Sequence, residues 1–173
     1  MTWVIVPAAI AVLLALLVIL VRSGLLRLRD SVRNSWASLD SLLLERHDLL
    51  MKLVELCTRH MRYEQQALER VSRADAATFA AAARENIPAL AAAEKLLRAS
   101  VAELLAFSEN YPLLRIDPGF SGLRGKVLSV DAAISERREH YNSAVNMLNV
   151  RSQAFPHRLI ARAIGFHTEA LFE

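Results

Sequence analysis

Five histidines, His47, His60, His140, His157 and His167, are the side chains of this 173-residue chain best suited to metal or proton chemistry. Two have a carboxylate one helical turn away, in His60-x-x-x-Glu64 and Glu136-x-x-x-His140, so each pair would share a helix face. A carboxylate-bridged di-iron bundle needs Glu-x-x-His on two helices, and neither pair has that spacing. His-Glu-x-x-His, Cys-x-x-Cys, a phosphate-cradling glycine loop and Gly-x-Ser-x-Gly are all absent from the sequence. These histidines therefore read as solvated charges on helix faces. No catalytic residue, metal ligand or cofactor is assigned, and the chain does not read as an enzyme.

A second set stands out by position. Arg46 falls on an apolar stripe between Leu43 and Leu50, and Glu64 falls between Cys57 and Val71. With Glu94 and Asp131 they form a candidate structural polar cluster: Arg46, Glu64, Glu94 and Asp131. An unpaired guanidinium at a seam position is costly, so Arg46 needs a carboxylate from another stretch. Glu94 is the expected partner, beside the apolar face of Leu90 and Leu97, with Glu109 and Asp131 also available. Glu64 is disfavoured as a direct partner, because eighteen residues along one helix is about 27 Å. The favoured reading is a buried ion pair that sets helix register. The alternative is a metal or small-molecule site at Arg46, Glu64 and Glu94.

The elements that must hold these residues begin with Trp3–Val21, WVIVPAAIAVLLALLVILV, which carries no charge. Nineteen residues of helix span roughly 28 Å, close to a hydrocarbon core of about 30 Å. A cleaved signal peptide would want a basic start and a small-residue cleavage site, and neither is present. The stretch reads as a retained transmembrane anchor with Trp3 at its outer interface. Arg22, Arg27, Arg29 and Arg33 follow against Asp30 alone, which by the positive-inside bias places the N-terminus outside and the C-terminal bulk in the cytoplasm. Taking those charges from the chain totals of 21 basic and 18 acidic residues leaves 17 of each beyond residue 33. The basic collar, with Arg22, Arg27 and Arg29 at the membrane interface, suits anionic headgroups. The pI of 9.4 thus argues little for nucleic acid, and no nucleic-acid motif accompanies it. The single cysteine, Cys57, forms no internal disulfide, which fits a reducing compartment.

Residues 1–29 are read as anchor and collar, and residues 30–173 as one helical domain. From Asp30 to Arg73 there is neither Gly nor Pro, and Val32, Trp36, Leu39, Leu43, Leu50, Leu53, Cys57, Leu68 and Val71 recur largely at threes and fours. That is a helix burying one coiled-coil-like stripe, either continuous with the anchor or bent once at the membrane surface. Asp75 is placed to cap a short alanine-rich helix that Asn86-Ile87-Pro88 ends. Another helix is expected from about Pro88 to Ser108. Asp117-Pro118 looks like the cap of a last long helix to about Ala154, with its seam at Phe120, Leu123, Val127, Val130, Ile134, Tyr141, Val145 and Leu148. The run Phe155 to Phe166 is expected to fold back and close the bundle end, in preference to lying on the membrane. The fold class is all-α, an antiparallel bundle of long helices behind one N-terminal transmembrane helix.

Taken together these residues resemble the LemA family of membrane-anchored bacterial proteins. Trp36, Leu39-Asp40, Leu43, Arg46, Asp48-Leu49-Leu50, Leu53-Val54, Glu64, Leu68 and Val71 carry the likeness on the first helix. Glu94, Leu97, Glu109-x-Tyr111-Pro112, Phe120, Leu123, Tyr141-Asn142-x-x-Val145, Asn149, Phe155-Pro156, Gly165-Phe166 and Phe172-Glu173 carry it later. Met51-Lys52, Glu45-Arg46 and Leu148 depart from the family pattern. The resemblance implies an anchored antiparallel bundle in the bacterial inner membrane and supplies no catalytic mechanism. The functional expectation is a membrane-anchored scaffold or adaptor that presents a bundle surface to partner proteins. Its partners would be the lipid bilayer through residues 3–21 and proteins at the membrane, with a homo-oligomer left open and no nucleic acid.

Overall fold

A computed structural model describes residues 2–155, 157–159 and 168–172, without the side chains of residues 2–5, 7, 10, 11 and 14. The interfacial role read for Trp3 falls outside the described side chains, and most of the 155–166 run falls outside the described residues. The elements are α1 (Thr2–His60), α2 (Gln65–Ala83), α3 (Ile87–Ser108), a single turn α4 (Pro112–Arg115) and α5 (Pro118–Gln153). At 1.5 Å per residue, the 59 residues of α1 make a rod of about 88 Å that passes through Gly24 and the collar without a break. Of the two geometries open to the junction, the continuous one is observed. Among the described residues, no helix is long and apolar enough to cross a membrane.

Two expectations about the first helix are corrected. The Gly- and Pro-free stretch does not run on to Arg73: α1 ends at His60, and residues 61–64 turn the chain back into α2. No local breaker causes this. Folding Leu68 and Val71 back onto the stripe of Leu53, Cys57 and Met61 buries all five, whereas a straight rod would leave the later ones without a partner. Asp75 caps nothing: it sits in the middle of α2, buried among its neighbours. Asp117 caps as expected, and Asn86 caps as well. The Asn86 side chain accepts from the Ala89 amide, and Asp117 accepts from the amides of Gly119 and Phe120, with Pro118 in the first turn.

α1 packs against α5 and α2, and α2 packs against α3. Trp36 meets Tyr141 edge-on at 5.7 Å, and Arg46 meets Asp131 further down the same pair of helices. The falling number on one helix against the rising number on the other makes α1 and α5 antiparallel. Arg70 with Glu103 relates α2 to α3, and Arg98 with Ser135 relates α3 to α5. The result is an up-down-up-down four-helix bundle, with α4 as a turn between α3 and α5.

The core falls into two clusters. One holds Leu50, Leu53, Cys57, Leu68, Val71, Leu97, Leu104, Phe120 and Val127, and the other holds Val32, Leu39, Leu43, Leu90, Ile134, Tyr141, Val145 and Phe172. Burial pushes the Cys57 thiol up to about 11, so it packs as a small hydrophobe and carries little thiolate.

Candidate functional site

The two clusters are separated by a polar layer to which each of the four long helices contributes one acidic or basic position. Arg46 lies between Leu43 and Leu50 on α1, Glu94 between Leu90 and Leu97 on α3, and Asp131 between Val127 and Ile134 on α5. Asp75 lies between Ala74 and Ala81 on α2. On each helix this is a core-facing position in the three-four pattern, so forming the helices aligns the polar groups at one height.

The Arg46 guanidinium faces Glu94 as a fork: Nη1 donates to Oε2 at 3.0 Å, and Nη2 donates to Oε1. The same Nη1 donates to Asp131 Oδ1 at 3.0 Å. The Arg46 and Glu94 side chains are 2% and 5% exposed, whereas Asp131 reaches the surface at 28%. Burial alone would favour losing the Arg46 proton. The hydrogen bonds and charges of Glu94 and Asp131 outweigh it and hold the guanidinium charged. Its Nε has no partner among the described residues.

The next residue on α1 serves α2. His47 Nδ1 lies 2.6 Å from Asp75 Oδ2, and its ring stacks on Phe79 at 4.8 Å. Burial pushes the Asp75 carboxyl above the usual range. The His47 hydrogen bond and charge and the Arg46 charge pull it back, and the Glu94 charge adds to the rise.

Three of the four residues named for the cluster, Arg46, Glu94 and Asp131, are thus brought together. Glu64 is not: it occupies the N-cap position of α2, beyond the end of α1, and makes no side-chain cap bond. A place for Glu64 on the stripe requires one helix from Arg46 to Val71, and the turn at 61–64 breaks that helix. His47 and Asp75 were missed as a pair. Their signal was the unusual placement of Asp75 on the apolar face of α2, at the spacing of Val71 and Thr78.

Among the described residues, the layer's carboxylates are committed to Arg46 and His47. Among the described residues, no group of three His, Cys, Asp or Glu side chains is placed to hold a metal ion. Surface cavities of about 470, 520 and 200 Å³ are lined by other residues. The first lies on the collar between Arg27, Ser31 and Asn34 of α1 and Arg137 and His140 of α5. The second has Arg29 and Arg33 beside Trp36 and Tyr141. Arg22, Arg27, Arg29 and Arg33 are all exposed.

The LemA family profile matches residues 35–173. The apolar run and the collar lie outside the match. None of the curated proteins matches the chain.

Proposed function

The chain belongs to the LemA family, and we propose that it serves as a membrane-anchored helical scaffold or adaptor. Residues 3–21 would cross the bacterial inner membrane with the N-terminus outside, and the bundle would present its surface to partner proteins on the cytoplasmic side. One observation carries the anchor. Residues 15–20, Ala-Leu-Leu-Val-Ile-Leu, are all exposed. Six consecutive helical positions go more than once round the axis, so apolar side chains point outward in every direction. A helix apolar all round suits lipid and is a liability in water. The four arginines that follow supply the orientation.

The adaptor reading is supported by the way the polar layer is built. Its charges are consumed internally, which leaves the outer faces of α2, α3 and α5 as the chain's means of contact. α1 would transmit the position of the bundle rigidly from the membrane, because the rod is unbroken to His60.

The test is a pair of reporters fused after Glu173, one active only in the cytoplasm and one only after export. The cytoplasmic reporter should be active and the exported one silent. The reverse pattern would overturn the orientation, and a fusion released from membranes by alkaline carbonate would overturn the span.

A further inference from the structure

Residues 168–172 run along α5 without helix or strand, and α5 grips their backbone. Asn149 accepts the Glu169 amide through Oδ1 at 3.0 Å and donates Nδ2 to the Glu169 carbonyl at 2.9 Å. Asn142 repeats the arrangement on Phe172, accepting its amide at 2.8 Å and donating to its carbonyl at 2.8 Å. Between them, the Tyr141 hydroxyl donates to the Ala170 carbonyl at 3.2 Å. Each asparagine therefore treats one peptide residue as a neighbouring strand would.

The spacing explains why two such clamps fit. Seven residues of helix rise about 10.5 Å, and three residues of extended chain advance about 10 Å. Two asparagines seven apart on a helix are thus in step with residues three apart on an extended peptide. The clamps read the N–H and C=O of the first and fourth residues and no side chain, so they exclude proline at those two places and little else. Specificity comes from a single side chain. Phe172 is 1% exposed within the cluster of Tyr141 and Val145, and the Arg138 guanidinium lies 5.8 Å over its ring, while Glu169, Ala170 and Leu171 are exposed.

We propose that this face of α5 is a docking groove for an extended partner peptide of four residues whose fourth is aromatic, and that residues 168–172 fill it in cis until such a segment displaces them. The groove is built for exchange. Asn142 and Asn149 are neutral and half-buried, so water can satisfy them when the tail leaves. Phe172 leaves an apolar hole, so a replacement must bring an aromatic of its own. A tethered tail competes at an effective concentration in the millimolar range, which a dilute peptide cannot match. A partner confined to the same membrane can match it, and this last step rests on the anchored-adaptor reading.

The probe is a labelled peptide, His-Thr-Glu-Ala-Leu-Phe-Glu, the sequence of residues 167–173, titrated by fluorescence anisotropy against the full chain in detergent micelles. Micelles impose no topology, so the outcome is independent of the reporter fusions. Glu169→Pro removes the amide held by Asn149, and Phe172→Ala removes the anchor; each should tighten peptide binding at least tenfold over the wild-type chain. Adding Asn142→Ala to either variant, or replacing the phenylalanine of the peptide by alanine, should weaken it at least tenfold. No binding to either tail variant with helicity intact would overturn the proposal. So would binding indifferent to Asn142, or loss of the bundle in both tail variants, which would make the tail part of the core.

Discussion

The bundle handles polar groups in two ways, and the contrast lies along one helix. At Asp131, α5 lends a carboxylate to a guanidinium sealed between two apolar clusters, and Glu94 of α3 accepts from the same nitrogen. Eleven and eighteen residues further on, at Asn142 and Asn149, the same helix offers neutral amides from a half-open edge to the backbone of Phe172 and Glu169. The Arg46–Glu94 fork at the centre of the first arrangement cannot come apart piecewise, because either partner's departure leaves the other's charge stranded out of water. The second can, because each group it exposes is one that water accepts. Charge with burial makes a fixed register device, and neutral amides with partial exposure make a contact that can be traded.

The largest effect should follow from breaking the fixed layer. Arg46→Met leaves Glu94 buried and unpaired and should cost about 3–5 kcal/mol in urea unfolding. Arg46→Met with Glu94→Leu should recover much of that loss, since Asp131, at 28% exposed, can turn to solvent. Strictly additive losses would mean that the pair does not act as a unit and would erase the contrast with the tail.

Asn142→Ala removes two hydrogen bonds at the edge and should cost about 1–2 kcal/mol, with the urea dependence of unfolding unchanged. A loss as large as that of Arg46→Met would place the tail with the fixed layer.

The smallest effect belongs to Asp75, buried in the layer where Arg46, Glu94 and His47 face it. Burial raises its folded pKa above the ordinary value of 3.8, so the folded state holds the proton more tightly than the unfolded chain. Its contribution to stability is fully present below the unfolded pKa and is lost as pH rises through the folded one. Asp75→Asn should flatten that downward slope and shift stability at neutral pH by no more than about 1 kcal/mol. A slope that survives the substitution would assign it to another group.

How much of this was legible in the sequence varies with the range of the cause. The pairing of Arg46 with Glu94 could be read because a charge on an apolar stripe demands a partner, and Glu94 sits beside another stripe. The cap at Asp117 is local and was equally plain. The turn at 61–64 was not, since it is imposed by the burial of Met61, Leu68 and Val71 across the bundle and carries no Gly or Pro to announce it. That one omission misplaced Glu64 and turned Asp75 from a helix interior into a supposed cap. Asn142 and Asn149 were visible only as positions of family resemblance. Their role depends on a tail whose irregular backbone leaves no period to read.

Native-state hydrogen exchange at single amides tests the distinction between the fixed layer and the exchangeable edge most directly. The Glu169 and Phe172 amides, both bonded to asparagine side chains, should exchange through a local opening that is insensitive to low urea. The amides of Leu50 and Leu97, which flank the polar layer, should exchange only with global unfolding and at a rate that rises with urea. If the Phe172 amide is instead protected to the same free energy as Leu50, with the same urea dependence, the tail is part of the cooperative core and the two regions do not differ in kind.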